Sequence, residues 1–350
     1  MKASLRHYGC RISEVQWQQH TVLVLENARI RVSVVASHGA EILEFRFKPL
    51  DMDVLWHTGR GLPARGYFPQ TAEGVDTFFD HFVGGWQESF PTGNSHGLFH
   101  GARLALHGEV SQLPWDYDII RDTPAAIEVE FRVACRRTPF HLIRRMTLAA
   151  GDAFVQFDEQ ISNEGGMELE YTWGHHPSFG PPFLTPDCIL DLPGGTFRTL
   201  SPQNAGAKPR YLPGQEVRSP LLLGVDGEQI DVRRAPPVQG GTMDNFCIQI
   251  EGPGMAALRN PTIDLGIALS WEAERFPYLW QWEVSHGCHH YPLWGNEYLV
   301  AFEPFNCPIG GLVDFAGKGT LPTLKAKESL ATQLQVGFCR GTQPFNGKYL

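Results

Sequence analysis

Nowhere in these 350 residues does an apolar run approach the ~18 that a membrane-spanning helix needs. Clusters of Lys and Arg are missing too, and the net charge is −9, so neither nucleic acid nor a membrane surface is expected as a partner. No CxxC pair occurs. The seven cysteines, Cys10, Cys135, Cys188, Cys247, Cys288, Cys307 and Cys339, are odd in number and scattered, which reads as free thiols in a reducing compartment. The opening residues, Met1 to His20, lack an apolar signal core, so a cytoplasmic location is expected. Ser/Gly linkers, charge blocks and internal repeats are absent, which leaves one domain over 1–350 with a core from about 20 to 336. No segment holds a helical apolar period for more than two or three turns, and the best helical candidate is Ala72–Phe82.

Short strand-like runs are abundant. The 37 glycines and 26 prolines are roughly 18% of the chain against a usual ~12%, so elements must be short. Alternating or β-branched runs recur between them, at Thr21–Leu25, Ile30–Val35, Glu41–Phe47, Ala126–Val133, His141–Leu148 and Ala153–Ile161. The series continues at Glu168–Trp173, Phe246–Ile250, Gly266–Trp271, Leu279–Val284, Glu297–Phe302 and Leu330–Val336. The pattern predicts an all-β fold of two large antiparallel sheets packed face to face. Gly194–Gly241 reads as a long excursion or extra hairpins.

Four places put ionisable groups inside apolar patterns. In Leu104–Glu109, a period of two sets Ala105, His107 and Glu109 on one face; the plain alternative is a surface histidine. In Tyr171–Gly180, His175 and His176 are adjacent and must face opposite sides of a regular strand, with Gly174 leaving room beside His176. A strand end closed by a proline turn explains that segment equally. Asp244, with Asn245, precedes an apolar run, where a turn or cap is the ordinary explanation. Glu303 ends the apolar run Tyr298–Phe302 and is followed by Pro304. A carboxyl there is either solvent-facing or buried and functional, with a raised pKa suited to a general base.

In order and span these residues resemble the aldose 1-epimerase (galactose mutarotase-like) family. Leu106-His107-Gly108 is similar to that family's Leu-His-Gly element, and His176-Pro177-Ser178-Phe179 to its His-x-Tyr-Phe element, with Ser178 in place of the tyrosine. Asp244 and Glu303-Pro304 take the third and fourth places. The segment Gly84–Pro91, followed by Asn94, stands where many members carry an arginine. The resemblance implies a β-supersandwich and a mutarotase that interconverts α and β anomers of a free sugar. It assigns Glu303 as base and His176 as acid, with His107, Asp244, Asn94 and Trp280 binding substrate. On that reading Glu303 is kept ionised and His176 carries the proton. Neither a metal nor an organic cofactor is needed, and the partner is a small sugar bound by a monomer or homodimer.

Tryptophans near the motifs, Trp86, Trp173, Trp280, Trp282 and Trp294, fit a sugar cleft or plain core; Trp280 and Trp282 share strand parity. The rival functions are a non-catalytic sugar-binding protein on the same fold and an epimerase of phosphorylated sugars. The latter would recruit Arg103, Arg136-Arg137 or Arg144-Arg145. A zinc site in His286-Gly287-Cys288-His289-His290 does not match a usual ligand spacing, and a loop over the cleft is the preferred reading.

Overall fold

The structure is a computed structural model that describes residues 5–66, 74–200 and 207–350. Among these residues nearly all regular structure is β. The larger sheet has twelve strands. Its path runs through Arg11–Trp17, His20–Glu26, Ile30–Val35, Glu41–Phe47, Trp86–Ser89, Gly174–Phe179, Tyr298–Phe305, Tyr278–Ser285, Thr242–Ile250, Gly195–Thr199 and Glu216–Val217, and Met52–Asp53 adds to Glu41–Phe47. The smaller sheet has eight: Ile189–Asp191, Gly254–Asn260, Leu265–Trp271, Ser329–Cys339, Phe154–Asn163, Phe140–Ala149, Ala126–Ala134 and Asp116–Asp122. Pairing between these strands is antiparallel.

The sheets face one another, and aromatic side chains cross the gap. Trp86 of the larger sheet stacks on Phe157 of the smaller at 5.3 Å, and Phe45 meets Phe338 at 5.5 Å. In the smaller sheet, Phe140–Ala149 and Phe154–Asn163 alternate between buried and more exposed positions, because one face is covered and the other meets water there, while Gly254–Asn260 and Leu265–Trp271 are buried at nearly every position. The centre of the larger sheet differs. Tyr298–Phe305 and Gly174–Phe179 are buried at every position, since loops and a helix cover their outer face. That second cover creates the cavity described below.

The runs found by alternation correspond to strands with one reduction. Glu168–Trp173 keeps only Leu169–Glu170, paired with Thr323–Leu324, and the chain then enters the strand Gly174–Phe179. The described residues of the Gly194–Gly241 excursion hold short strands joined by loops, including the hairpin Leu221–Leu223 with Gln229–Asp231. The expected helix is Gly74–His81; Ala72 and Glu73 lie outside the described residues. No described helix is long and apolar enough to cross a membrane.

Candidate active site

The Leu-His-Gly segment is a tight turn, not a strand. His107 has φ +58° and Gly108 φ +82°. A Cβ on Gly108 would lie 2.1 Å from the Phe90 carbonyl oxygen, so only glycine lets the turn close against that strand. Strand parity therefore fails here. Glu109 turns away to accept N–H bonds from Arg136 and Arg137, each 2.8 Å, and from Thr138 at 3.1 Å. His107 points into the cavity, its Nδ1 3.0 Å from Ser89 Oγ and its ring 4.6 Å from that of Phe78.

Adjacent histidines take opposite sides of Gly174–Phe179. His175 enters the gap between the sheets, where Nδ1 lies 3.2 Å from Glu88 and Nε2 3.1 Å from Glu159. Arg144 binds the same two carboxylates and the Ala40 carbonyl oxygen, and the Trp173 indole also donates to Glu88. Glu88, Glu159 and His175 are close enough to hold a metal ion, but the Arg144 guanidinium and a protonated His175 together already balance the two carboxylates there. Burial opposes the charge on His175, yet Glu88 and Glu159 outweigh it and raise the imidazole to about 9. Glu88 is likewise penalised by burial but is held at about 2 by His175 and Arg144.

His176 faces the outer side, toward Glu303 on the neighbouring strand. Its Nε2 is 3.5 Å from Glu303 Oε1, and the ring of His107 stands edge-on at 5.0 Å. Trp280 is the cross-strand partner of Glu303 and its ring lies flat on Phe305, with centroids 3.5 Å apart. The space beside Gly174, read from sequence as an approach for ligand, is filled by that Phe305 ring. Burial pushes the Glu303 carboxyl well above its ordinary range, and burial lowers His176 to about 4. Burial, with His176 adding to it, also drives His107 well below its usual value. Burial thus favours the neutral form of all three groups, opposite in direction to the charge state expected from sequence.

One cavity gathers most of the expected residues. Asn94, His107, His176, Trp280 and Glu303 line it, joined by Trp282. Trp280 and Trp282 face the same side, as their parity requires. Asp244 is a correction. It sits within the strand Thr242–Ile250 with its flanking residues Met243 and Asn245 turned to the cavity, so alternation turns Asp244 to the other face. There it accepts N–H bonds from Arg210 at 2.7 Å and Tyr211 at 3.1 Å, beside Glu283. Trp86 and Trp173 are core, and Trp294 is exposed.

Sequence reasoning expected a loop over the cleft at His286–His290 but missed the aromatic part of the roof. Phe78, Phe79 and Phe82, on and just after the helix Gly74–His81, cover one side of the cavity, and Pro292 and Leu293 of the loop after His290 cover another. The aromatic spacing in that helix was the signal available for the first side. Asn245 was visible beside Asp244 but was assigned no contact. None of Arg103, Arg136, Arg137, Arg144 and Arg145 lines the cavity, and among the described residues neither does any other Arg or Lys.

Residues 18–229 match the family DUF4432, described as a domain of unknown function. A search of curated proteins finds no match. Solved structures share the fold. A candidate aldose 1-epimerase from Klebsiella pneumoniae superposes with a TM-score of 0.72 at 12% identity, covering 97% of this chain and 85% of that one. A galactose mutarotase-like protein from Clostridium acetobutylicum gives 0.65 at 13% identity, over 95% and 99% of the two chains. A galactose mutarotase related enzyme from Lactobacillus acidophilus gives 0.60 at 16% identity, over 93% and 99%. The fold is therefore the galactose mutarotase-like sandwich of large antiparallel sheets.

Proposed function

This chain belongs to the DUF4432 family, and from that premise and the geometry of its cavity we propose that it is an aldose 1-epimerase acting on a free, neutral sugar. The observation that carries the reading is the pair His176 and Glu303, both buried, 3.5 Å apart, and aimed into one cavity walled by indole and phenyl rings. A hemiacetal opens when its O1–H proton leaves while a proton reaches the ring oxygen. These oxygens share one carbon, so the base and acid must be close neighbours, as His176 and Glu303 are.

In the proposed cycle Glu303 takes the O1 proton and His176 protonates the ring oxygen as the C1–O5 bond breaks. The open aldehyde turns about C1–C2. The O5 hydroxyl then attacks the other face of the carbonyl, its proton returns to His176, and Glu303 gives a proton back to O1. Protons balance over the cycle. The pair holds one proton, which sits on His176 in the working form. Each group is expected to contribute about 10²–10⁴-fold. His107, kept neutral and fixed by Ser89, is placed to bond a sugar oxygen, as are Asn94 and Asn245, while Trp280 offers a ring face to sugar C–H groups. The lack of Arg or Lys among the described residues of the cavity wall supports a neutral sugar over a phosphorylated one.

Polarimetry of freshly dissolved α-anomers across hexoses, 6-deoxyhexoses and pentoses tests the reading. Acceleration above buffer for at least one sugar is expected. Sugar binding without any acceleration would instead identify a carbohydrate-binding protein.

A further inference from the structure

The cavity is small for the ligand proposed for it. Its free space is about 80 Å³. A cavity of about 150 Å³ is what holds benzene, with its six heavy atoms. A hexopyranose has twelve. Setting C1 and the ring oxygen of a sugar between Glu303 and His176 therefore requires part of the wall to move.

The roof has two sides of different build. The helix side is pinned to the frame: Arg60 donates to the carbonyl oxygens of Phe79 at 3.0 Å and Phe82 at 2.9 Å, and the Thr58 N–H bonds the Val83 carbonyl oxygen. The other side is the loop 286–297, between the strands Tyr278–Ser285 and Tyr298–Phe305. It is closed on itself, with the Gly295 N–H on the Cys288 carbonyl oxygen at 2.6 Å and the Trp294 N–H on that of His290 at 2.9 Å, so it can tilt as one piece. Left-handed backbone stands toward both of its ends, at His286 with φ +58° and at Trp294 with φ +52°. Such positions can absorb the rotation of a hinge. Cys288, Pro292 and Leu293 are buried beneath the loop, while His289, His290 and Trp294 are exposed above it.

Tyr291 joins this loop to the helix. Its hydroxyl donates to Asp80, its ring stands edge-on to Phe79 with centroids 6.2 Å apart, and the Arg60 guanidinium lies over the ring at 5.6 Å. Burial, and then the bond to Asp80, pushes the phenol up to about 12, so the O–H remains a donor through neutral pH.

We propose that the loop 286–297 is a lid on the cavity, and that Tyr291, bonded to Asp80 beneath Arg60, is the clasp that releases before a ligand enters or leaves. The lid stands whatever chemistry is done below it; only the sugar as its guest rests on the epimerase reading.

Thiol alkylation tests it. Leu293→Cys puts a thiol on the underside of the lid, and peptide mass then follows its reaction with N-ethylmaleimide, a reagent too large for the closed cavity. The buried thiols of Cys247 and Cys307 are controls for general unfolding. A hydrogen bond to a charged group is worth about tenfold or more in an opening equilibrium. Adding Tyr291→Phe, which keeps the ring and removes the hydroxyl, should raise the rate at position 293 about tenfold or more and leave both controls unchanged. Native Cys288, also beneath the loop, should give the same direction in Tyr291→Phe alone. Equal rates with and without the hydroxyl would overturn the clasp, as would a parallel rise at the controls. Glucose, galactose, 6-deoxygalactose and xylose are then added in turn, and a sugar in the cavity should slow the reaction at position 293. A rise with Tyr291→Phe but no protection by any sugar keeps the lid and removes the sugar; protection with no effect of Tyr291→Phe does the reverse.

Discussion

His176 and Glu303 show how burial sets chemistry at single residues. Each is an ordinary titrating group in water, and each is moved toward its neutral form because both are removed from solvent within one cavity. The pair works only while it carries one proton. Below about pH 4 His176 gains a second and no base remains, so kcat/KM should fall as the pH drops through about 4. A pH–rate profile with a break near an ordinary histidine pKa would contradict this. Gly108 is the other residue with a single cause behind it. Gly108→Ala places a methyl on the Phe90 carbonyl at a positive φ, and a urea melt should show a loss of roughly 2 kcal/mol or more. The motif residues were legible because they are chemically odd against apolar strands. The direction of Asp244 was not. The apolar run beginning at Phe246 gave no sign that the strand already starts at Thr242, and parity can be applied only once a strand's extent is known.

At the scale of the strand, Gly174–Phe179 carries its two histidines to two different tasks. His176 faces the cavity, and His175 is clamped with Arg144 between Glu88 and Glu159. The clamp fixes the backbone one residue from the proposed acid and joins the two sheets. Arg144→Met leaves both carboxylates buried without their guanidinium, and chemical denaturation should register a loss of about 3–5 kcal/mol. A loss under about 1 kcal/mol would show that the cluster is hydrated and mechanically unimportant. Alternation exposed strands such as Phe140–Ala149 in the smaller sheet, where one face is covered. It said little about Gly174–Phe179, whose two buried faces erase the period and whose central proline imitates a turn.

For the whole molecule, the clamp makes stability depend on pH in both directions. His175 is raised to about 9 in the fold, so its contribution is complete below the unfolded value near 6.5 and disappears as pH rises through about 9. Glu88 is lowered to about 2, so its contribution is complete above the unfolded value near 4.5 and disappears as pH falls through about 2. The melting temperature should therefore peak between about pH 5 and 6.5 and decline on the alkaline side as His175 loses its proton. In His175→Asn that alkaline decline should flatten; a decline identical to wild type would place its origin elsewhere. The packed pair of sheets was legible because strand spacing, breakers and alternation agree along most of the chain. The aromatic part of the roof was not, since Phe78 and Phe82 meet the motifs only after the chain has folded over the outer face of the larger sheet.

The most direct test of the central claim is anomer exchange by Glu303→Gln, followed by magnetisation-exchange NMR at saturating sugar, with affinity measured on the same samples. The amide keeps the shape of the carboxyl but cannot take the O1 proton. The account predicts an exchange rate about 10²-fold lower or more, with the dissociation constant changed only a few-fold. Wild-type exchange in this variant would contradict it.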